Sequence, residues 1–159
     1  MTSLIALEDV QLTPLEGEGP RAQVTRGATT WTVDGAVLEG AWSFGAELLV
    51  ATTDNIPYEE GLHFSLLSPD GSVADEVELA HMYTTGSFAL LGTEGATLRF
   101  RFFGDTDWLL RVCESPQVKV PFLGDPRGVG RPWGFFKRLL VEGNPKPEGK
   151  SSRSRAVDG

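Results

Sequence analysis

The chain has 159 residues, of which 40% are hydrophobic and 23% charged, which is enough for one domain with a sizeable core. A single cysteine, Cys113, excludes a disulfide-stabilised scaffold, and the longest apolar runs, such as Leu48–Ala51, are too short for a membrane span. No lysine or arginine precedes Arg21, which predicts that the chain lacks a conventional signal peptide. Together with the lone cysteine, this predicts a cytoplasmic location.

The first part of the chain alternates short strand-like runs with turn residues. Strands are predicted over Leu4–Leu12, Ala22–Arg26 and Thr29–Val33. The dipeptide Asp34-Gly35 is typical of a two-residue hairpin turn, so the third of these strands is expected to pair with the segment that follows it.

The middle of the chain contains the longest predicted strand, Trp42–Thr52. Its apolar end, Leu48–Ala51, is typical of a central strand that is covered on both faces. After a polar loop, apolar and polar residues alternate over Leu62–Leu66 and again over Val73–Leu79. Ser68–Gly71 is a strong turn between them, because proline presets φ at its second position and glycine accepts a positive φ. These features predict a β-hairpin.

The last part of the chain contains the clearest alternating pattern, Ala96–Phe103. With the return segment Trp108–Cys113, it predicts a hairpin over residues 97–113. One hydrophobic core is expected to contain its large apolar residues Phe100, Phe102, Trp108 and Leu110. Three further strands are predicted, over residues 82–91, 118–122 and 133–141.

About nine short strands without helical periodicity predict a single all-β domain, an antiparallel β-sandwich or a flattened barrel. This domain is expected to span residues 1–142. Residues 143–159 hold two prolines, several serines and four basic residues, with little apolar content to bury. They are therefore predicted to form a disordered basic tail.

The net charge of −8 is distributed unevenly along the chain. Residues 27–98 contain 11 acidic residues and no lysine or arginine, whereas residues 99–159 contain 12 basic and seven acidic residues. Because an acidic surface repels phosphate, we expect neither nucleic acid nor a membrane surface as a partner. Such a surface attracts a cation or a basic protein, although the same carboxylates could serve only to keep the protein soluble.

Few residues indicate catalysis. The sequence lacks the glycine-rich phosphate-binding motifs and the H-E-x-x-H zinc motif, and neither His63 nor His81 has further ligands at metal-binding spacing. His63 is interpreted as part of a polar strand face or as a half-buried histidine with satisfied polar groups. Cys113 is interpreted as a structural thiol, because no neighbouring base would lower its pKa. No catalytic residue and no cofactor is predicted.

Acidic loops leave two alternatives open. Loops at one end of a sandwich cluster in space, and Asp54, Asp105 and Asp107 are candidate ligands for Ca²⁺, which prefers several oxygen ligands. A carbohydrate-acting enzyme would instead need two carboxylates about 5–10 Å apart in a cleft, beside an exposed tryptophan.

The favoured interpretation is a non-catalytic binding protein that engages a basic protein partner. An inhibitor or immunity-type protein that blocks a basic toxin or nuclease is one concrete version. Tyr58, beside two glutamates in a loop, is the best candidate for an exposed aromatic anchor. A structural role through self-assembly into a homo-oligomer is a further alternative, because the edges of a sandwich can pair. The candidate partner-binding residues are Asp54, Tyr58, Glu59, Glu60, Glu76 and Glu78.

Overall fold

A computed structural model gives the fold. It describes residues 2–17, 19–56, 60–80, 86–103, 106–118, 125–126, 128–132 and 136–143. These residues form thirteen β-strands and no helix, so the predicted all-β class is confirmed. None of them belongs to a helix that is long and apolar enough to cross a membrane. The strands are β1 (Leu4–Ala6), β2 (Gln11–Leu15), β3 (Arg21–Arg26), β4 (Thr29–Asp34), β5 (Val37–Phe44), β6 (Glu47–Thr53), β7 (Leu62–Leu67), β8 (Val73–Leu79), β9 (Ala89–Glu94), β10 (Thr97–Arg101), β11 (Asp107–Val118), β12 (Val129–Gly130) and β13 (Phe136–Glu142).

The strands form three antiparallel sheets that stack in layers. The central sheet has six strands in the order β1-β5-β6-β7-β8-β12. A four-stranded sheet, β13-β11-β10-β9, packs on one of its faces, and a three-stranded sheet, β2-β3-β4, packs on the other. No sheet closes into a barrel within the described ranges. The sandwich form of the prediction is therefore confirmed, with three layers.

Two hydrophobic cores hold the layers together. The larger core lies between the six-stranded and four-stranded sheets and includes the completely buried Trp108. The smaller core lies between the six-stranded and three-stranded sheets and includes Trp31. Alternate residues of Leu48–Ala51 in β6 enter opposite cores. This confirms that the apolar run belongs to a central strand covered on both faces.

Both hairpins with the strongest sequence signals are present. β7 and β8 pair antiparallel around the turn Ser68–Gly71, in which Gly71 has a φ of +92°. β10 and β11 pair antiparallel, with Thr97 opposite Arg111 at one end of the ladder. The predicted core residues of this hairpin all lie in the larger core, namely Phe100, Phe102, Trp108 and Leu110.

Three predicted strands or turns are wrong. Leu4–Leu12 is not one strand, because the chain passes from β1 in the six-stranded sheet to β2 in the three-stranded sheet. Trp42–Thr52 is also divided, because Gly45 adopts a φ of +60° and turns the chain between β5 and β6. Asp34-Gly35 does not close a hairpin: β4 pairs with β3, whereas β5 pairs with β1 and β6. The predicted number of about nine strands is lower than the thirteen observed, partly because two predicted strands are each divided into two.

Parts of some predictions lie outside the described residues. Of the predicted strand 82–91, residues 82–85 lie outside the described residues, 86–88 are not in a strand, and β9 begins at Ala89. Of the predicted strand 118–122, only Val118 is described, as the last residue of β11. Residues 144–159 of the predicted tail also lie outside the described residues.

Candidate functional site

Beside the three-stranded sheet, one face of the central sheet borders an open acidic cleft. Its floor is formed by β7 and β8, one wall by the end of β4, and the other wall by β12 and the residues after it. The cleft has a volume of about 290 Å³. The residues that define the acidic cleft in the following paragraphs are Asp34, His63, Ser65, Glu76, Glu78 and Arg131.

The register of the β7–β8 hairpin assembles the floor of the acidic cleft. His63 lies opposite Glu78, and Ser65 lies opposite Glu76. Because side chains alternate along a strand, these four residues share one face, while Phe64 between them enters the larger core. His63 and Ser65 are buried, whereas the Glu78 side chain is 49% exposed. Glu78 therefore lies at the mouth of the cleft.

His63 is held between two carboxylates. Its Nε2 atom lies 2.6 Å from Oδ1 of Asp54, and its Nδ1 atom lies 3.6 Å from Oε2 of Glu78. Burial opposes protonation, but the hydrogen bond with Asp54 and the charges of Asp54, Glu78 and Asp34 raise the pKa of His63 overall. The protonated form is thus favoured. Because both ring nitrogens face carboxylates, this geometry differs from a nucleophile–base pair.

The absence of a side chain at Gly61 permits the contact between Asp54 and His63. A Cβ atom at this position would lie 2.6 Å from Oδ2 of Asp54. The backbone amide of Asp54 donates to the carbonyl of Gly61 at 3.2 Å. The amide of Asn55, which has a φ of +60°, donates to Oε1 of Glu60 at 2.7 Å. These bonds fix the two ends of the loop next to the histidine.

Glu76 lies in an environment that is short of positive charge. Burial, followed by the charge of Asp34, raises the pKa of Glu76; Asp75 adds to this effect, and the charges of Arg21 and His63 oppose it only in part. Arg21 is already shared with Asp34, at 3.6 Å. A carboxyl group whose pKa is raised in this way would gain from an additional neighbouring cation.

A buried ionic network forms the wall of the acidic cleft on the β12 side. Nε and Nη2 of Arg131 donate to the two oxygens of Asp125 at 2.6 and 3.0 Å, and Nη1 lies 3.7 Å from Asp75. Asp75 also accepts hydrogen bonds from the backbone amides of Arg138 and Leu139 in β13, at 2.7 and 2.9 Å. Two carboxylates balance the charge of Arg131, so it contributes little positive charge to the acids on the cleft floor.

The predicted partner-binding residues occupy different places. Glu76 and Glu78 line the acidic cleft. Asp54 contacts the histidine of its floor, and Glu60 lies at the base of the adjoining loop. Two others lie outside the described residues, Tyr58 and Glu59.

The candidate calcium ligands that the structure describes belong to different sheets. Asp54 follows β6 of the six-stranded sheet, whereas Asp107 begins β11 of the four-stranded sheet and accepts a hydrogen bond from Arg101 at 2.8 Å. Asp105 is not among the described residues. In the part of the chain that the structure covers, no three His, Cys, Asp or Glu side chains are grouped as a metal site. Calcium binding stays a prediction.

The tryptophans that the structure describes are buried. Trp31, Trp42 and Trp108 are 5%, 3% and 0% exposed, and Trp133 lies outside the described residues. A carbohydrate-acting enzyme would be supported by an exposed tryptophan beside the two glutamates of the acidic cleft. None of these three supplies one.

The sequence does not predict the places of two residues in the acidic cleft. Asp34 was assigned to a hairpin turn, whereas packing of the three-stranded sheet brings it to the acidic cleft. His63, for which the sequence indicates a polar strand face or a half-buried position, is buried and hydrogen-bonded to Asp54 at a charged site. The turn Ser68–Gly71 predicts that the two strands pair but not their register, because a β-bulge between Leu66 and Leu67 shifts the ladder. Without this shift, the pairing of Leu67 with Val73 would place His63 opposite Val77.

Comparison with known proteins adds no functional information. The chain matches no protein-family model, no curated protein and no solved structure. Function must therefore be inferred from the acidic cleft and from the distribution of charge along the chain.

Proposed function

We propose that this protein is a non-catalytic binding protein whose acidic cleft receives a lysine or arginine side chain of a basic protein partner. The observation that carries the proposal is the convergence of Asp34, Glu76 and Glu78 on one cavity with too little positive charge nearby. A cationic side chain would relieve the repulsion among these carboxylates. Binding would thus be favoured by the same charges that are unfavourable in the empty cleft.

The size of the acidic cleft supports a single side chain as its occupant. Its volume of about 290 Å³ is close to the lower limit of small-molecule sites, roughly 300–1,000 Å³. Glu78 is exposed at the mouth, and Glu76 is half-buried beside Ser65. A guanidinium or ammonium group entering between these two glutamates would be contacted first by the exposed carboxylate and then by the deeper one.

The surrounding charge supports fast association with a basic surface. The Lys- and Arg-free segment 27–98 contributes β4 to β9, and therefore the floor and one wall of the acidic cleft. Carboxylates of one sign steer a positively charged partner over several ångströms before contact. An inhibitor or immunity-type protein directed at a basic toxin or nuclease would use this property. We also propose a cytoplasmic location, which the free, buried Cys113 supports.

The first prediction compares two pairs of neutralised glutamates. The cleft variant carries Glu76→Gln and Glu78→Gln. The control carries Glu94→Gln and Glu142→Gln, two exposed positions of the four-stranded sheet, and changes the net charge equally. A partner captured from the native cell is purified, and its association rate is measured at low and at physiological ionic strength. We expect the cleft variant to lower the rate by about tenfold at low salt and to weaken its salt dependence.

The control pair should stay close to the parent protein in both measurements. An acidic partner would contradict the proposal. So would a cleft variant that folds normally and binds the partner as fast and as tightly as the parent protein does.

A further inference from the structure

We infer that the proton on His63 regulates the acidic cleft, which binds a cationic side chain more tightly when His63 is neutral and releases this proton on binding. The inference rests on the proposed function and adds its regulation. His63 lies on the cleft floor and is 7% exposed. A protonated imidazole at this position would already be paired with the carboxylates that the incoming cation requires.

The geometry makes the two cations competitors for the same carboxylate. Nδ1 of His63 lies 3.6 Å from Glu78, which is also the exposed acid at the mouth of the acidic cleft. Asp54, which follows the neighbouring strand β6, holds the other nitrogen at 2.6 Å, and its side chain is only 13% exposed. The imidazole is thus fixed in place, and its charge acts directly on the space that the partner would enter.

The charged groups around His63 determine the direction of the effect. The acids come from three elements besides its own strand, and they outnumber the cations. The acids are Asp54 after β6, Glu76 and Glu78 on β8, and Asp34 at the end of β4. The cations are Arg21 on β3, which is paired with Asp34, and Arg131 after β12, which is paired with Asp125.

In the empty cleft these acids raise the pKa of His63, so the proton is retained to a higher pH than on a free imidazole. A second cation among the same acids opposes this proton by electrostatic repulsion. Deprotonation of His63 strengthens binding of the cation by a certain factor. By thermodynamic linkage, binding of the cation lowers the proton affinity of His63 by the same factor. Affinity must therefore rise with pH.

The test uses a blocked peptide, acetyl-Gly-Lys-Gly-amide, and the same peptide with norleucine in place of lysine. NMR titration gives the affinity for the full chain at pH 6 and at pH 8.5, and the pKa of His63 with and without saturating peptide. We expect the affinity for the lysine peptide to rise about tenfold over this interval and the pKa of His63 to fall by a matching amount. The norleucine peptide should cause neither change.

Two histidine variants assign the effect. His63→Gln keeps a side chain that can hydrogen-bond to Asp54 but does not titrate, and we expect its affinity for the lysine peptide to be independent of pH. His81→Gln removes the other histidine of the chain and should keep the pH dependence of the parent protein. These variants also assign the imidazole resonances.

The outcomes separate the inference from the proposed function. If the lysine peptide binds equally at both pH values, or if its binding leaves the pKa of His63 unchanged, the inference is overturned while the cation site stands. Retention of the pH dependence by His63→Gln overturns it as well. If the lysine peptide binds at neither pH, both the proposed function and the inference fail.

Discussion

Asp70 and Glu76 belong to the same hairpin, yet their surroundings shift their pKa values in opposite directions. The carboxylate of Asp70 accepts hydrogen bonds from Oγ and the backbone amide of Ser72, at 2.6 and 3.0 Å, and its pKa is lowered. The pKa of Glu76 is raised, first by burial and then by the charge of Asp34. The ionised Asp70 thus stabilises the folded hairpin. The ionised Glu76 destabilises it and is available for binding.

Glu76→Gln should make the protein more stable at neutral pH. The folded state of the parent protein holds the Glu76 proton more tightly than the unfolded state, so this group adds stability below its unfolded pKa and loses it as pH rises through the folded pKa. Gln is neutral throughout and keeps that stability. We expect urea unfolding to show a higher midpoint than the parent at pH 7, and a smaller difference at pH 4.

Asp70→Asn provides a control of opposite sign. The lowered pKa of Asp70 means that its contribution is present above the unfolded pKa and is lost as pH falls through the folded pKa. This variant should therefore be less stable than the parent at pH 7, and the difference should shrink in acid. If Glu76→Gln destabilised the protein at pH 7 as Asp70→Asn does, the assignment of Glu76 as a charge that opposes folding would be wrong.

Among the structural elements, the β9–β10 ladder joins a completely buried aromatic residue to an exposed leucine. Phe100 lies opposite Leu90, which is 45% exposed. On its buried side, the ring of Phe100 lies 5.1 Å from that of Phe64 and 5.7 Å from that of Phe88, between centroids. These contacts link the four-stranded sheet to the central one across the larger core.

Phe100→Ala should therefore destabilise the fold by about 3–5 kcal/mol, because it removes a buried ring and leaves a cavity between two sheets. Leu90→Ala changes the opposite position of the same ladder, where the side chain is partly exposed, and should cost less than about 1 kcal/mol. Urea unfolding at pH 7 measures both. Equal losses would mean that the larger core does not depend on this aromatic contact.

The two hairpins could be predicted from the sequence because their signals are local. In Ser68–Gly71 the turn chemistry and the alternation on both sides agree, so pairing follows from neighbouring residues alone. Asp34-Gly35 has the same sequence as Asp70-Gly71 in that turn, but it connects a strand of one sheet to a strand of another. Its position is fixed by distant groups, since Thr52 Oγ1 donates to the Asp34 carbonyl at 2.6 Å and the Gly35 amide donates to the Pro20 carbonyl at 2.8 Å.

The candidate site divides in the same way. Glu76 and Glu78 were identified because they lie on the polar face of a strand within the acidic segment. Asp34 reaches the acidic cleft through packing of the three-stranded sheet, and Arg131 reaches it through the pairing of β12 with β8. Both contacts bring together residues that are far apart in the sequence. A pattern within one strand predicts which face is polar, but it does not predict which second element will border that face.

In the whole molecule, the acidic and basic halves of the sequence meet between the layers. Arg138 in β13 forms a bidentate ion pair with Glu47 in β6, at 2.6 and 2.9 Å, and its backbone amide donates to Asp75 in β8 at 2.7 Å. These contacts stabilise two acids of the central sheet where the four-stranded sheet covers it. The acidic cleft is on the opposite face, and there the excess of acids is left for a partner.

The last prediction concerns the boundary of the domain. Residues 145–159 contain four basic residues and a single large apolar one, Val157, so their sequence supplies little that could pack against the sheets. Deletion of this segment should therefore change the melting temperature by less than about 2 °C, as measured by calorimetry. A control that keeps the segment but replaces its Lys and Arg residues by Gln should behave identically. If the deletion lowers the melting temperature by many degrees, the segment docks on the domain. If the Gln control shows the same loss, and high salt abolishes the difference between the parent protein and the deletion variant, the docking is electrostatic. The tail would then compete with the basic partner for the acidic surface.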